Sequence, residues 1–316
     1  MNKNTDTGPD ASNAKAPLWL VIAAFAMVYF VWGSTYVSIR IAVETIPPFF
    51  MAGWRQFLAG AILYFILWQK GEPAPRLSHV RDAAVVGAML LLVQNGTLTW
   101  VEQKTPSAIA ALIVAATPFW MILLNRVLVR GSRLTIPLLS GLVLGFAGVG
   151  VIVFTKDHAG KNLVDPLGAM LLLVASIFWA GGSSYSRHAR TPKNPLQATA
   201  LQLMSGGAFL LVASVVFGEP ASFHFAAVSR HSAIAFVYLT LIGSLVGYTA
   251  YAWLLKASTI ARVSTIAFVN PLVAVVLGSI IAHEAISPGV IVAGVLIIGA
   301  VMLITWKKAD SVPAPE

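Results

Sequence analysis

Residues 18–41 read LWLVIAAFAMVYFVWGSTYVSIRI. Arg40 is the one charge in that stretch. About 20 predominantly apolar residues suffice for an α-helix to cross the hydrocarbon layer of a membrane, and this run is longer. It does not alternate polar and apolar residues, so it does not read as a strand. Only helices and closed barrels satisfy their backbone groups in lipid. Similar runs recur along the 316-residue chain and predict ten transmembrane helices, at 18–39, 49–69, 82–101, 106–128, 134–154, 167–188, 196–217, 232–255, 262–282 and 288–306.

Composition agrees with that pattern. The chain is 58% hydrophobic and 10% charged, whereas a soluble domain has about 45–50% apolar and about 25% charged residues. So few charges cannot cover a water-facing surface. The first run exceeds the apolar core of about 7–15 residues in a secretion signal, and polar residues 1–17 precede it. It is expected to remain as the first helix, behind a cytoplasmic tail of residues 1–17. A second cytoplasmic tail is expected at 307–316.

The formal charge of +9 would suggest a nucleic-acid partner in a soluble protein. Here the basic residues lie between apolar runs, where Lys and Arg set orientation and touch lipid headgroups. With the N-terminus inside, fifteen Lys and Arg residues fall in inner segments and five in outer ones; the remaining one is Arg55, within the second span. This bias predicts a multi-pass protein of the cell inner membrane with both termini cytoplasmic, bound by lipid and not by nucleic acid. There is no cysteine, which removes thiolate ligands and nucleophiles. His79, His158, His188, His224, His231 and His283 all fall in loops or at helix ends. No metal site, cofactor or catalytic group is therefore expected.

The chain also repeats itself. Trp32–Arg40 reads WGSTYVSIR and Trp179–Arg187 reads WAGGSSYSR, an offset of 147 that also pairs Pro48 with Pro195 and Gly60 with Gly207. Further on the offset is 153, pairing Trp100 with Trp253, Pro118 with Pro271 and Gly141 with Gly294. One six-residue insertion between the seventh and eighth spans explains the change. The halves are then 18–154 and 167–306. Five helices per half is an odd number, so the halves must run in opposite directions. Inverted repeats are a transporter architecture, with the binding site near the midplane between them.

YFVWGSTYVSIRIAVETIPPFFMAGWRQFLAG (29–60), AYAWLLKAS (250–258), FVNPLVAVVLGSIIAHEAIS (268–287) and GVIVAGVLIIGAVML (289–303) resemble EamA-type permeases of the drug/metabolite transporter superfamily. The resemblance covers about 18–306. It implies an all-α bundle of ten helices in two inverted five-helix repeats, with a central cavity lined by helices 1–4 and 6–9. It also implies export or exchange of amino acids, other metabolites or drugs. Relatives often carry an acid after the fourth helix, as Glu284 follows the ninth; here the matching residue is Gly131.

Polar and aromatic side chains inside the spans are the candidates for contact with a small-molecule substrate, because such groups usually face a cavity. They are Trp32 and Tyr36, Gln94, Asn95 and Trp100, Trp179 and Tyr185, Gln202, and Tyr248 and Trp253. Arg55 joins them at about 9 Å inside the second span, at 1.5 Å per residue; Glu44 or Glu102 could pair with it, and neutral Gln202 is its repeat equivalent. Thr117-Pro118 and Asn270-Pro271 are repeat-related and should kink their helices near mid-span, a place suited to gating. Gly141-x-x-x-Gly145 and Gly243-x-x-x-Gly247 read as close helix packing. No Asp or Glu is expected deep in a span; Glu44, Glu102 and Glu284 read as interfacial.

These features point to a transporter, working as a monomer or weak homodimer. A channel or a non-transporting receptor is the alternative. An intramembrane enzyme would need a base or metal cluster at depth, and the spans offer serines without His, Asp or Glu.

Overall fold

The computed structural model describes residues 17–128, 136–156, 162–258, 263 and 265–309. Helices dominate: α1 Leu18–Ala42, α2 Pro48–Gln69, α3 Leu77–Val101, α4 Ser107–Val114, α5 Thr117–Leu128 and α6 Ile136–Phe154, then α7 Pro166–Ser186, α8 Pro195–Val216, α9 Arg230–Ala257, α10 Ile266–Ile281 and α11 Pro288–Ala309. No β-strand occurs among the described residues; Lys156 and Asn162 form an isolated bridge. Six helices are long and apolar enough to cross a membrane (α1, α2, α3, α7, α8 and α9), and shorter apolar helices occupy the other four predicted spans.

Local chemistry sets several boundaries. Proline occupies the first turn of α2, α7 and α8, where its missing N–H costs nothing and its fixed φ suits a helix. Gly71 and Gly218 follow α2 and α8 with φ of 80° and 73°. That left-handed conformation ends a helix cheaply only at glycine.

Three expectations change. The predicted 106–128 helix is two pieces, α4 and α5, broken at Ala115–Ala116 just before Thr117-Pro118. Its repeat counterpart α10 runs unbroken through Pro271. Proline breaks a hydrogen bond only with the preceding turn, so Pro118 near a helix start and Pro271 inside one have different consequences. Third, α3 and α9 are not uniform α-helices. Each contains a π-helical stretch, Ala88–Asn95 and Leu239–Val246, ahead of Gly96 and Gly247. Gly131, the counterpart of Glu284, lies outside the described residues, as do Arg130, Arg133, Arg262, residues 1–16 and residues 310–316; the tail expected at 307–316 begins inside α11, which runs to Ala309.

Packing treats the two halves alike. α2 lies on α8 and α6 on α11. α1 packs on α10 as α7 packs on α4 and α5; α3 packs on α8 as α9 packs on α2; α3 packs on α7 as α9 packs on α1. Every one of these contacts survives exchange of the halves. Glycine spacing gives the direction. A Cβ on Gly60 would meet Ala200 and Met204, and one on Gly207 would meet Gly53 and Phe57. Ala200 and Met204 are the 147-offset equivalents of Gly53 and Phe57. Rising numbers on α2 thus meet falling numbers on α8, so the two helices run antiparallel. Gly148 against Ala293 and Gly289 against Thr155 say the same of α6 and α11.

The largest buried cluster gathers at one end of the bundle, where α1 and α3 finish and α2 and α4 begin. It joins Ile39, Met51, Leu98 and Ile109 to Ile152, Leu172, Leu239 and Ala293. We call this the far end, because the N-terminus lies at the other.

Candidate functional site

Four aromatic rings meet where the halves meet. Trp32 on α1 lies edge-on to Trp179 on α7, its repeat counterpart, at 6.5 Å between centroids. It also lies 5.4 Å from Tyr248 and 4.8 Å from Tyr251, both on α9. Gly247 makes the approach fit: a Cβ there would sit 2.7 Å from the Trp32 indole nitrogen. Gly247 closes the π stretch of α9. Such a stretch adds a residue to one turn, shifts the side chains that follow, and is frequent at functional sites. The π stretch of α3 ends on Gln94 and Asn95, both buried.

Beside the rings is buried polar chemistry. Arg55 is 3% exposed, and its Nε and Nη1 have no hydrogen-bond partner among the described residues. It neither snorkels outward nor reaches Glu44, which is exposed. Its charge acts on Tyr248 and Glu102, yet neither is bonded to it. Next to it, Gln56 donates through Nε2 to Asn95 Oδ1 at 3.5 Å, while its Oε1 is unpartnered. Ser244, in the π stretch of α9, is fully buried with an unpartnered hydroxyl. Buried polar atoms in proteins are nearly always hydrogen-bonded, so Arg55, Gln56 and Ser244 stand out by keeping donors or acceptors without a protein partner. Most other intramembrane hydroxyls bond their own helix: Thr35 to Trp32 O, Thr99 to Asn95 O and Ser176 to Leu172 O.

The sequence-derived candidates therefore divide. Trp32, Trp179 and Tyr248 come together, and Arg55, Gln94 and Asn95 are buried on the adjoining helices α2 and α3. Tyr36 packs against the far-end cluster. Trp253 packs with Val21, Ala24 and Val28 of α1. Trp100 and Tyr185 are 44% and 37% exposed and make no contact with the ring group. Gln202 is half-buried, and its backbone oxygen lies 2.8 Å from the Cβ position of Gly87. Of the paired prolines, both are buried, and the Asn270 side-chain oxygen beside Pro271 has no partner.

Several functional-looking residues escaped the sequence reading. Gln56, beside Arg55 in the chain, carries no charge or ring to mark it in the sequence, yet it is fully buried and bonded to Asn95. Glu102 reads as interfacial in the sequence but is fully buried. The far-end core closes over the turn that follows α3, and hydropathy cannot register that. Three further acids hold the halves together. Glu284 accepts from the Ser107 and Ala108 N–H groups that begin α4. Glu219 accepts from Phe49 and Phe50 N–H at the start of α2. Glu72 accepts from the Asn194 side chain, whose own oxygen caps Leu196 at the start of α8. Carboxylates are favoured at helix N-termini, where free N–H groups and the helix dipole converge. The signal was present: Gly71-Glu72-Pro73 and Gly218-Glu219-Pro220 are the same tripeptide at the 147 offset.

Two cavities, of about 230 and 430 Å³, open near Ile234 and Tyr238 on α9. Neither is lined by Trp32, Arg55 or Glu102.

The model of the EamA-like transporter family matches residues 16–154 and again 166–306. An inner membrane transporter of Escherichia coli K12, YedA, itself described as uncharacterized, is 37% identical over 289 residues covering 90% of each chain. A "Probable amino-acid metabolite efflux pump" of the same organism is 24% identical, covering 90% of this chain and 96% of its own. A crystal structure with 18% identity superposes with a TM-score of 0.63, covering 94% of this chain and all of its own, which concerns the fold alone.

Proposed function

The chain belongs to the EamA-like transporter family and is a multi-pass inner membrane transporter, and from that premise we propose that it exports or exchanges small metabolites by alternating access. In this reading ten helices cross the membrane, in two inverted five-helix halves at 18–154 and 167–306. The observation that carries it is the exchange-invariant packing, with repeat-equivalent helices antiparallel. Two halves of similar sequence and opposite direction can swap conformations, giving a second state of similar energy that faces the other side. Both termini lie in the cytoplasm and the far end faces outward, on the strength of the fifteen-to-five bias in Lys and Arg.

The substrate sits among Trp32, Trp179 and Tyr248, against Arg55, Gln94 and Asn95. Tyr36, Trp100, Tyr185, Gln202 and Trp253 lie apart from this group and are left out of the binding site, and Pro118 and Pro271 serve the bending of their helices. Arg55 favours solutes that bear a carboxylate, such as amino acids, since a planar and permanently charged fork pairs with a carboxylate through two hydrogen bonds. The efflux pump named above for amino-acid metabolites is consistent with that chemistry. One copy of the chain contains the whole site.

The test is flux in proteoliposomes against a panel of amino acids, nucleosides and cationic drugs. Saturable flux of a carboxylate-bearing solute, accelerated by the same solute on the opposite side, is expected. Conductance far above transporter turnover would make the protein a channel, and binding without flux would make it a receptor.

A further inference from the structure

Glu102 occupies the turn that follows α3, at the far end of the bundle. It is fully buried, and neither oxygen of its carboxyl group has a hydrogen-bond partner among the described residues. The charged and titratable groups facing it come from three directions: Tyr36 and Arg40 on α1, Arg55 on α2, and Glu284 after α10. None forms an ion pair with it; the ion pair found among the described residues is Arg81–Asp82. Arg40 donates instead to the Gln103 backbone oxygen at 2.8 Å, and Glu284 is occupied by the N–H groups of Ser107 and Ala108.

An ionised carboxylate is costly in such surroundings, and a buried acid without a partner relieves that cost by binding a proton. Burial first, and repulsion from Glu284 second, hold its proton affinity well above the usual carboxylate range, against the opposing pull of Arg55 and Arg40. The burial has an identifiable source. The far-end core takes in Val101, next to Glu102 in the chain, together with Ile39 and Ala42 of α1, Leu98 of α3, Ile109 of α4, and side chains of α7, α9 and α11 from the other half. Alternating access, on which this inference rests, requires that core to part when the far end opens. Water would then reach Glu102 and restore the ionised form.

We propose that Glu102 is a proton-binding site tied to closure of the far end. It is ionised while that end is open to water and neutral while that end is packed shut. Each closure takes one proton from the far-side solution onto a carboxylate oxygen, and each opening returns it. The far end therefore opens more readily as the solution bathing it becomes alkaline.

The absence of native cysteine allows a direct test. Ile109, 1% exposed in the far-end core, is replaced by cysteine in the full-length protein, and the variant is first checked for flux. In proteoliposomes a membrane-impermeant maleimide is applied from the far side, from mildly acidic to mildly alkaline pH. Rates are normalised to the same cysteine in denatured protein, which removes the titration of the thiol itself. Normalised labelling should rise severalfold with pH when Glu102 is present. In Glu102→Gln it should be low and independent of pH, and in Glu102→Asp the rise should return. The same rise in Glu102→Gln, or no pH dependence with Glu102 present, overturns the proposal. If Glu102→Gln does not fold, the pH dependence with Glu102 and with Asp still decides it: absent in both, Glu102 is a buried counter-charge for Arg55. A flux-competent protein that is never labelled at any pH refutes alternating access at this end, and the proton site with it.

Discussion

Gly207→Ala should destabilise the protein, although alanine is the better helix former. The added Cβ would lie 2.4 Å from Phe57 N, 2.8 Å from Phe57 Cα and 2.9 Å from Gly53 O. All three are backbone atoms of α2, so no side chain can swing aside, and the helices must separate by roughly 1 Å to restore ordinary contact distances of about 3.5–4.0 Å. Forcing a methyl into a packed interface costs typically 1–3 kcal/mol. Replacing glycine within a helix returns roughly 1 kcal/mol, so a net loss of up to about 2 kcal/mol is expected. At about 2–4 °C per kcal/mol for a large domain, the melting temperature of detergent-solubilised protein should fall by several degrees. Gly150→Ala is the matched control: nothing lies within 4 Å of its Cβ position, so only the helix-propensity gain applies and the melting temperature should hold or rise. Gly60→Ala, which meets Met204 N at 2.7 Å and Ala200 O at 2.8 Å, should behave like Gly207→Ala. Equal melting temperatures for Gly207→Ala and Gly150→Ala would refute the antiparallel α2–α8 contact, and with it the pairing that relates the halves.

Arg55→Gln should selectively slow flux of carboxylate-bearing solutes, by roughly tenfold or more if a bidentate charged bond is lost, while neutral solutes are unaffected; unchanged selectivity would leave Arg55 a structural cation. Pro118→Ala and Pro271→Ala should slow flux with equilibrium binding largely intact, and normal rates in both would make these prolines purely architectural. Glu219→Ala removes two charge-assisted bonds at the start of α2 and should cost about 1–2 kcal/mol of stability, read as a lower melting temperature, whereas Glu219→Gln should recover part of it. Reporter fusions after residue 316 and near Asn162 should label opposite sides of the membrane, and labelling on one side would overturn the assigned orientation.

Much of the architecture was legible before any coordinates, for a physical reason. In lipid, a run's length and polarity decide whether it spans, so α1, α2, α7, α8 and α11 begin and end close to their predicted places. The 147 offset paired Gly60 with Gly207, and both prove to lie in the α2–α8 contact, where a Cβ on either would meet the backbone of the other helix. Hydropathy is blind to hydrogen-bond geometry inside a run. It could not reveal the π stretches in α3 and α9, where the backbone changes register without any change of polarity. It also joined α4 and α5 into one helix, although Ala115 and Ala116 lie in a turn ahead of Pro118. The repeated Gly-Glu-Pro was readable in principle, but its meaning depends on which helix start each glutamate faces, and that is set by the packing of the other half.

The site was half legible for the same reason. Intramembrane Trp, Tyr and Arg are conspicuous by cost, so Trp32, Trp179, Tyr248 and Arg55 stood out. Whether two such residues meet depends on helix rotation, which a flat list of spans does not contain. Trp100 and Tyr185 carry the same sequence signal as Trp32, yet both remain substantially exposed. What separates them is the partner across the interface: Trp32 faces Gly247, which leaves room for an indole, and its own repeat equivalent. The polar side of the site follows the same logic. Arg55 and Glu102, a base and an acid, are both buried and within electrostatic reach, yet unbonded. A purely structural pair would be expected to close, because a bonded buried ion pair is far less costly than two separate buried charges. Their separation is better explained by two different duties, with Arg55 free to receive an anionic group and Glu102 neutral while the far end is shut. Each duty can fail without the other: Arg55→Gln changes which solutes cross, and Glu102→Gln changes how the far end answers to pH.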